Sequence, residues 1–221
     1  MCNVEIAPYG ESAIRVVLGD RLDWQLNQQV HSLRANLLSG AHPELRDLIP
    51  GYASLLVRFD PLIIGMNEVE AIIQDALESI ACASHFESRE ISIPVYYGGP
   101  SGPDLGHVAQ YAGISADDVI QLHASVSYRV FIIGFTPGFA YMGGLPDQLV
   151  MPRLATPRTA VPAGSVGIAG QQTGIYPLES PGGWQLIGWT PLVMFDAHRS
   201  EPCFLQPGDM VQFIPQNGER P

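Results

Sequence analysis

Between Gly134 and Pro191, glycine and proline supply 19 of 58 residues, and only Asp147, Arg153, Arg158 and Glu179 carry charge. Proline lacks an amide donor and glycine loses the most backbone entropy on ordering, so this stretch does not favour a regular helix. What it permits is short strands joined by tight turns. Candidate strands lie at residues 128–133, 166–169, 184–187, 192–195 and 210–214. Many short strands with rich turn chemistry argue for a closed or nearly closed β-barrel.

The preceding part has a different texture. Residues 12–18 alternate as a strand does, with Ile14, Val16 and Leu18 on one face, and residues 53–59 repeat the pattern. Asp20 is placed to cap a helix carrying Leu22, Leu26, Val30, Leu33 and Leu37 at helical spacing, with Gly40 ending it. Asn67, with Glu70 three residues on, predicts the start of a second helix striped by Val69, Ile72, Ile73, Ala76, Leu77 and Ile80. Short strands at 4–7 and 45–49 complete a β-α-β-β-α-β sandwich. A strand at 90–96 and short helices at 106–112 and 117–124, the second capped by Ser115 with Asp118, lead into the barrel. The fold class expected is therefore α+β, with an α+β domain at 1–89 and a β-barrel domain at 90–221.

Composition narrows the function. The formal charge of -11 repels phosphate backbones and anionic lipid, and the arginines are scattered singly, so neither nucleic acid nor a membrane surface is an expected partner. The longest apolar runs are too short to cross a bilayer. All 11 basic residues are arginine. Without lysine there is no Schiff-base chemistry and no P-loop lysine, so no nucleotide is expected in the P-loop manner. Cys2, Cys82 and Cys203 are odd in number and form no C-x-x-C pair, which with the lack of a signal-peptide pattern fits a reduced cytoplasm. The six histidines show no metal-ligand spacing, so no metal is expected; His31 is expected to be solvated, and His123 is the one to watch, with a structural role favoured.

Three segments carry candidate chemistry. GFTPGFAYMGG, at 134–144, brings Phe135, Phe139 and Tyr141 into a loop with little regular pairing; the rings either plug the barrel end or wall a pocket. Arg153 and Arg158 each follow a proline, and are either solvated charges or a pair suited to a carboxylate or phosphate. VPAGSVGIAGQQTGIYP, at 161–177, is a polar glycine-rich loop with neutral donors and acceptors in Ser165, Gln171, Gln172, Thr173 and Tyr176. In SPGGW, Gly-Gly predicts a hairpin turn and Trp184 a core anchor. No complete catalytic set is present. The pattern is that of half a site.

GFTPGFAYMGGLP, two PR pairs, VPAGSVGIAG, QTGIYP, SPGGW, LIG and a late PGD, together with PVYYGGPSGPDL upstream, resemble the family of 5-oxoprolinase B-type subunits. That family also holds the KipI-like sensor-kinase inhibitor and the allophanate hydrolase subunit 1 (urea carboxylase) segment. The resemblance implies a ferredoxin-like domain followed by a cyclophilin-like barrel, and a subunit that is inactive alone. It implies a companion C-type subunit with a related barrel, of the biotin-dependent carboxyltransferase-like family, and a lactam-utilisation protein of the A type. Together these open 5-oxoproline to glutamate at the expense of ATP, bound largely by a partner. On this basis Arg153, Arg158, Ser165, Gln172, Thr173 and Tyr176 are the expected substrate contacts, with Phe135, Phe139 and Tyr141 as wall. The family's other activities, inhibition of a sensor histidine kinase or work in an allophanate hydrolase or urea carboxylase system, are the alternatives. Trp189, in LIGWTP, stands where relatives carry a basic or polar residue; a barrel-rim place is expected for it.

Overall fold

Gly10, at φ +77, turns the chain between β1 (Glu5–Pro8) and β2 (Ala13–Val17) in the computed structural model, which describes residues 4–80 and 88–218. The turn lays β1 antiparallel along β2, Glu5 opposite Val17. Next come α1 (Trp24–Ser39), β3 (Leu45–Pro50), β4 (Ser54–Phe59) and α2 (Met66–Ile80). The sheet order is β1-β2-β4-β3, all antiparallel. Two helices and four strands are thus present as expected, but in the order β-β-α-β-β-α. The Gly10 hairpin fills the sheet edge from the N-terminal side, and the next described strand after α2 belongs to the barrel. Contacts divide the chain into two compact units, residues 1–87 and 88–221.

In the first unit, Ile14, Val16, Leu55, Val57 and Phe59 of the sheet meet Leu26, Val30, Leu33 and Leu37 of α1 and Val69 and Ile73 of α2. Both caps shift from the expected residues. Asp23, not Asp20, has the extended backbone of a cap, and its carboxylate accepts from the amides of Gln25 and Leu26. For α2, the carboxylate of Glu68 accepts from Gly65 N (3.0 Å), two residues ahead of the expected Asn67–Glu70 pair. His31 is buried rather than solvated, because α1 packs on α2 as well as on the sheet and buries more than its leucine stripe. Asn27, one turn earlier, is buried too, and its amide donates to Tyr52 O (2.9 Å) and Gly51 O (3.3 Å). Cys2, Cys82, His85 and the Ile80 side chain lie outside the described residues.

The second unit opens with β5 (Glu90–Tyr97), then α3 (Leu105–Ala112) and α4 (Ala116–Ala124), whose Ser115–Asp118 capping box is formed as expected. The remaining strands are β6 (Ser127–Ile133), β7 (Ala140–Gly143), β8 (Arg158–Val161), β9 (Ser165–Ala169), β10 (Gln172–Ile175), β11 (Ser180–Gly182), β12 (Gln185–Trp189) and β13 (Met210–Gln216). Seven of them close a barrel in the order β10-β7-β6-β13-β5-β12-β9, with β9 bonded back to β10. Only β5 and β13 run parallel. Strands β8 and β11 form a separate two-stranded sheet. Ile93, Val95, Val130, Met142, Val166, Ile168, Ile187 and Phe213 belong to the packed core.

Two expected loops are strands. Residues 140–143 pair with both β6 and β10, and residues 172–175 form the return arm of a β9–β10 hairpin around Gly170 (φ +55). Their glycines serve close packing. A Cβ on Gly143 would fall 2.4 Å from the Phe131 ring, and one on Gly174 3.0 Å from the Phe139 ring. Glycine here gives rings a flat landing on a strand, where the sequence pattern suggested turns. Conversely, residues 192–195 form no strand; Phe195 makes a single bridge to Cys203.

Candidate functional site

An aromatic cluster separate from the main core is built by Phe139, Val161, Ala169, Tyr176, Trp184 and Leu186, with Tyr141 against it. Phe139 sits at its centre. Its ring meets Tyr176 (5.2 Å, 83°) and Trp184 (5.4 Å, 85°) edge to face, and Tyr141 at 4.7 Å. These perpendicular contacts fix the rings relative to one another. Beside them lies a cleft of about 300 Å³ lined by Phe135, Phe139, Tyr141, Arg153, Tyr176 and Trp184, together with Pro157 and residues 181–183.

Phe135 leans edge-on over Phe139 (5.7 Å, 82°) with its side chain largely in solvent. Its backbone is left-handed, φ +69, a conformation that costs a bulky L-residue energy. An exposed, strained aromatic at a cleft is a common mark of a working surface. Arg153 contributes the only charged side chain among the lining residues. It forms no hydrogen bond or ion pair among the described residues, and its charge acts on the two phenols. Burial raises the pKa of Tyr176, opposed by a hydrogen bond from the Trp184 main chain and by the charges of Arg153 and Arg158. Burial likewise raises Tyr141, and Arg153 opposes it. Both phenols stay protonated near neutral pH. The cleft thus offers a free guanidinium, two neutral hydroxyl-bearing rings and flat apolar walls, which suits an anion on a small planar body.

Of the residues expected from sequence, Arg153, Tyr176, Phe135, Phe139 and Tyr141 come together here. The others do not line this cleft. Arg158 is spent on Asp104: its Nη2 donates to Asp104 Oδ1 at 2.7 Å, and its Nη1 lies 3.4 Å from Trp184 O. Asp104 Oδ2 accepts from Leu186 N at 2.6 Å. Arg158 therefore braces the wall behind Trp184. Ser165 begins β9 and is buried, where its carbonyl accepts from Tyr176 N (2.9 Å). Gln172 begins β10 opposite Gly143 and Ala169.

Thr173 lies wholly inside, in a buried chain of hydrogen bonds. Its hydroxyl reaches Gly167 O (3.1 Å) and His123 Nε2 (2.9 Å), and His123 Nδ1 meets Tyr97 Oη at 2.7 Å. If Thr173 donates to the carbonyl, which can only accept, it must accept from His123 Nε2–H, and Nδ1 then accepts from Tyr97. That order fixes a neutral imidazole. Burial alone pushes the His123 pKa down to about 3. The ring stacks on Phe213 (4.6 Å, 22°), and the Tyr128 hydroxyl donates to His123 O at 2.8 Å. This is a structural histidine, as favoured from the sequence.

Sequence reasoning missed Trp184 and residues 181–183 as lining. SPGGW suggested only a turn and an anchor, yet Gly182 is needed because a Cβ there would fall 2.2 Å from the Tyr176 hydroxyl. Trp189 is a rim residue, its indole N–H donating to Ala163 O at 2.8 Å and its ring 6.3 Å from that of Tyr96. Among the described residues no group of three or more His, Cys, Asp or Glu side chains could hold a metal ion, and no helix is long and apolar enough to cross a membrane.

Residues 4–205 match the family model of the carboxyltransferase domain, subdomain C and D. The chain is 46% identical over 208 residues to the B-type subunit of 5-oxoprolinase from Escherichia coli O157:H7, covering 94% of each. Among solved structures it is similar to TTHA0988, with a TM-score of 0.83 at 35% identity, over 95% of this chain and 41% of that one. It shares the fold of the Kluyveromyces lactis urea carboxylase, with a TM-score of 0.77 at 21% identity, over 97% of this chain and 22% of that one.

Proposed function

The chain belongs to the carboxyltransferase subdomain C and D family, and from that membership we propose that it is the B-type subunit of an ATP-dependent 5-oxoprolinase. The observation that carries the reading to a site is the unpaired Arg153 guanidinium over an otherwise uncharged aromatic cleft. 5-Oxoproline is a five-membered lactam bearing one carboxylate. Its ring face matches the walls of Phe139 and Trp184, and its carboxylate can take a charge-assisted bond from Arg153. The hydroxyls of Tyr141 and Tyr176 are neutral partners for the lactam amide. This chain's part is to bind and orient the lactam.

The cleft does not fit a nucleotide. A triphosphate calls for several convergent donors, and a single guanidinium lines this wall. We assign the nucleotide, and the activation of the lactam that it supplies, to partner proteins: a C-type subunit with a related barrel and a lactam-utilisation protein of the A type. In that arrangement the open cleft is half of a shared site, the lone chain turns nothing over, and the complex works in the cytoplasm. The same reading takes the first unit as a ferredoxin-like variant and the barrel as cyclophilin-like. Likeness to urea carboxylase at 21% identity carries the fold and no substrate.

The test is 5-oxoproline-dependent ATP hydrolysis by this chain co-expressed with its partner proteins, each omitted in turn. Glutamate is expected only from the complete set. Turnover by the lone chain would end the shared-site reading, and an inactive, well-formed complex would end the oxoprolinase reading.

A further inference from the structure

Arg153 poses a physical problem: its side chain is unpaired, and a long flexible side chain without partners spreads over many rotamers. Its main chain, however, is fastened on both sides. Met151 is buried and bridges to Gly170, whose amide donates to Met151 O at 2.7 Å. After the arginine, Leu154 N donates to Gly183 O at 2.7 Å. Directly before it, Pro152 has no amide to give, so its carbonyl is the only main-chain handle. That carbonyl accepts from Gln185 Nε2 at 3.1 Å.

Gln185 is 2% exposed, and its Oε1 has no hydrogen-bond partner. A buried amide with one orphaned end is costly, so packing alone gives no reason for glutamine here. An apolar residue of the same length would avoid the cost and lose the bond to Pro152. Gln185 and Gly183 flank Trp184, which lines the same cleft as Arg153. One short segment thus supplies a wall of the cleft and the two clamps that bracket the arginine.

We infer that Gln185 is a positioning residue: it fixes the Pro152–Arg153 peptide so that the guanidinium stays at a set height over the aromatic cleft. This rests on the reading of the cleft as a carboxylate site. Gln185 acts through Arg153 and touches no substrate. Its loss therefore weakens ground-state binding and leaves the chemical step alone.

The test is a double-mutant cycle in the reconstituted complex with Gln185→Met, Arg153→Ala and the pair, read as KM and kcat for 5-oxoproline. Gln185→Asn, too short to reach Pro152 O, serves as the second variant should methionine disturb folding. The expected result is a KM about tenfold higher for the Gln185 variants with kcat little changed. The double variant is expected to be no worse than Arg153→Ala alone. Additive losses, or an unchanged KM in a folded Gln185 variant, overturn the inference. An unchanged KM in Arg153→Ala instead removes the cleft reading, and the inference with it. Should the wild-type complex not turn over 5-oxoproline, that functional reading fails separately, and the clamp is judged on the NMR signal of Arg153 Nε–H. Increased mobility in Gln185→Met supports it, and an identical signal overturns it.

Discussion

Acid should unfold the barrel through His123, and substitution by phenylalanine should remove that sensitivity. The imidazole is fully enclosed, stacked on Phe213, and neutral in the fold, with its pKa held down to about 3 by burial against the ordinary 6.5. Between those values the unfolded chain binds a proton at this position and the folded chain does not. Stability from this group is therefore complete above pH 6.5 and is lost as pH falls toward 3, with a slope of about 1.4 kcal/mol per pH unit. From about pH 7.5 to about pH 4.5 the loss integrates to roughly 3 kcal/mol, a large share of a typical domain's stability. A phenyl ring in place of the imidazole would keep the stack on Phe213 and cannot titrate. It leaves the Tyr97 hydroxyl without its partner, so His123→Phe should cost about 1–3 kcal/mol at neutral pH. The two stability–pH curves should then converge in acid. Asp23, Asp60 and Asp118 are held below the ordinary carboxylate value, chiefly by hydrogen bonds from Leu26 N–H, Arg46 and Ser115, so their contribution is lost only in stronger acid and is common to both proteins. The assay is urea unfolding at several pH values, followed by the fluorescence of Trp184 and Trp189 in a Trp24→Phe background. Parallel curves would show that His123 is not held neutral and would refute the assigned hydrogen-bond order.

Arg153→Ala should raise the KM of the complex for 5-oxoproline by about 10- to 100-fold, the worth of one charge-assisted bond, with an unchanged melting temperature. Arg158→Ala should act on stability, because it strands the poorly exposed Asp104 carboxylate; a loss of about 2 kcal/mol in urea unfolding is expected, with activity falling only as the wall behind Trp184 loosens. Gly182→Ala should press on the Tyr176 hydroxyl and reduce activity while the fold persists; full activity would show that the cleft tolerates a shifted Tyr176. Phe135→Gly should stabilise the fold by about 1 kcal/mol by relieving the left-handed backbone, yet weaken 5-oxoproline binding; a simple loss of stability would mean that the ring is structural.

By itself the sequence determined the elements that repeat. The alternation through Ile14, Val16 and Leu18 and the helical stripe from Leu26 to Leu37 are periodic, and burial of one face leaves a strand or helix little choice. The Ser115–Asp118 box was legible for the same reason: its partners are three residues apart. Density of glycine and proline was enough to suggest short strands and a barrel. Tertiary structure decided what those glycines do. Gly143 and Gly174 lie within strands because Phe131 and Phe139 rest on them, a fact held by residues distant or out of phase in the sequence. It also separated two arginines that sequence treats alike. Each follows a proline, but Asp104, more than fifty residues before Arg158, takes that guanidinium, and nothing described takes Arg153. Whether a charge is a brace or a binding group depends on which partner the fold carries to it, and local sequence holds no record of that distance.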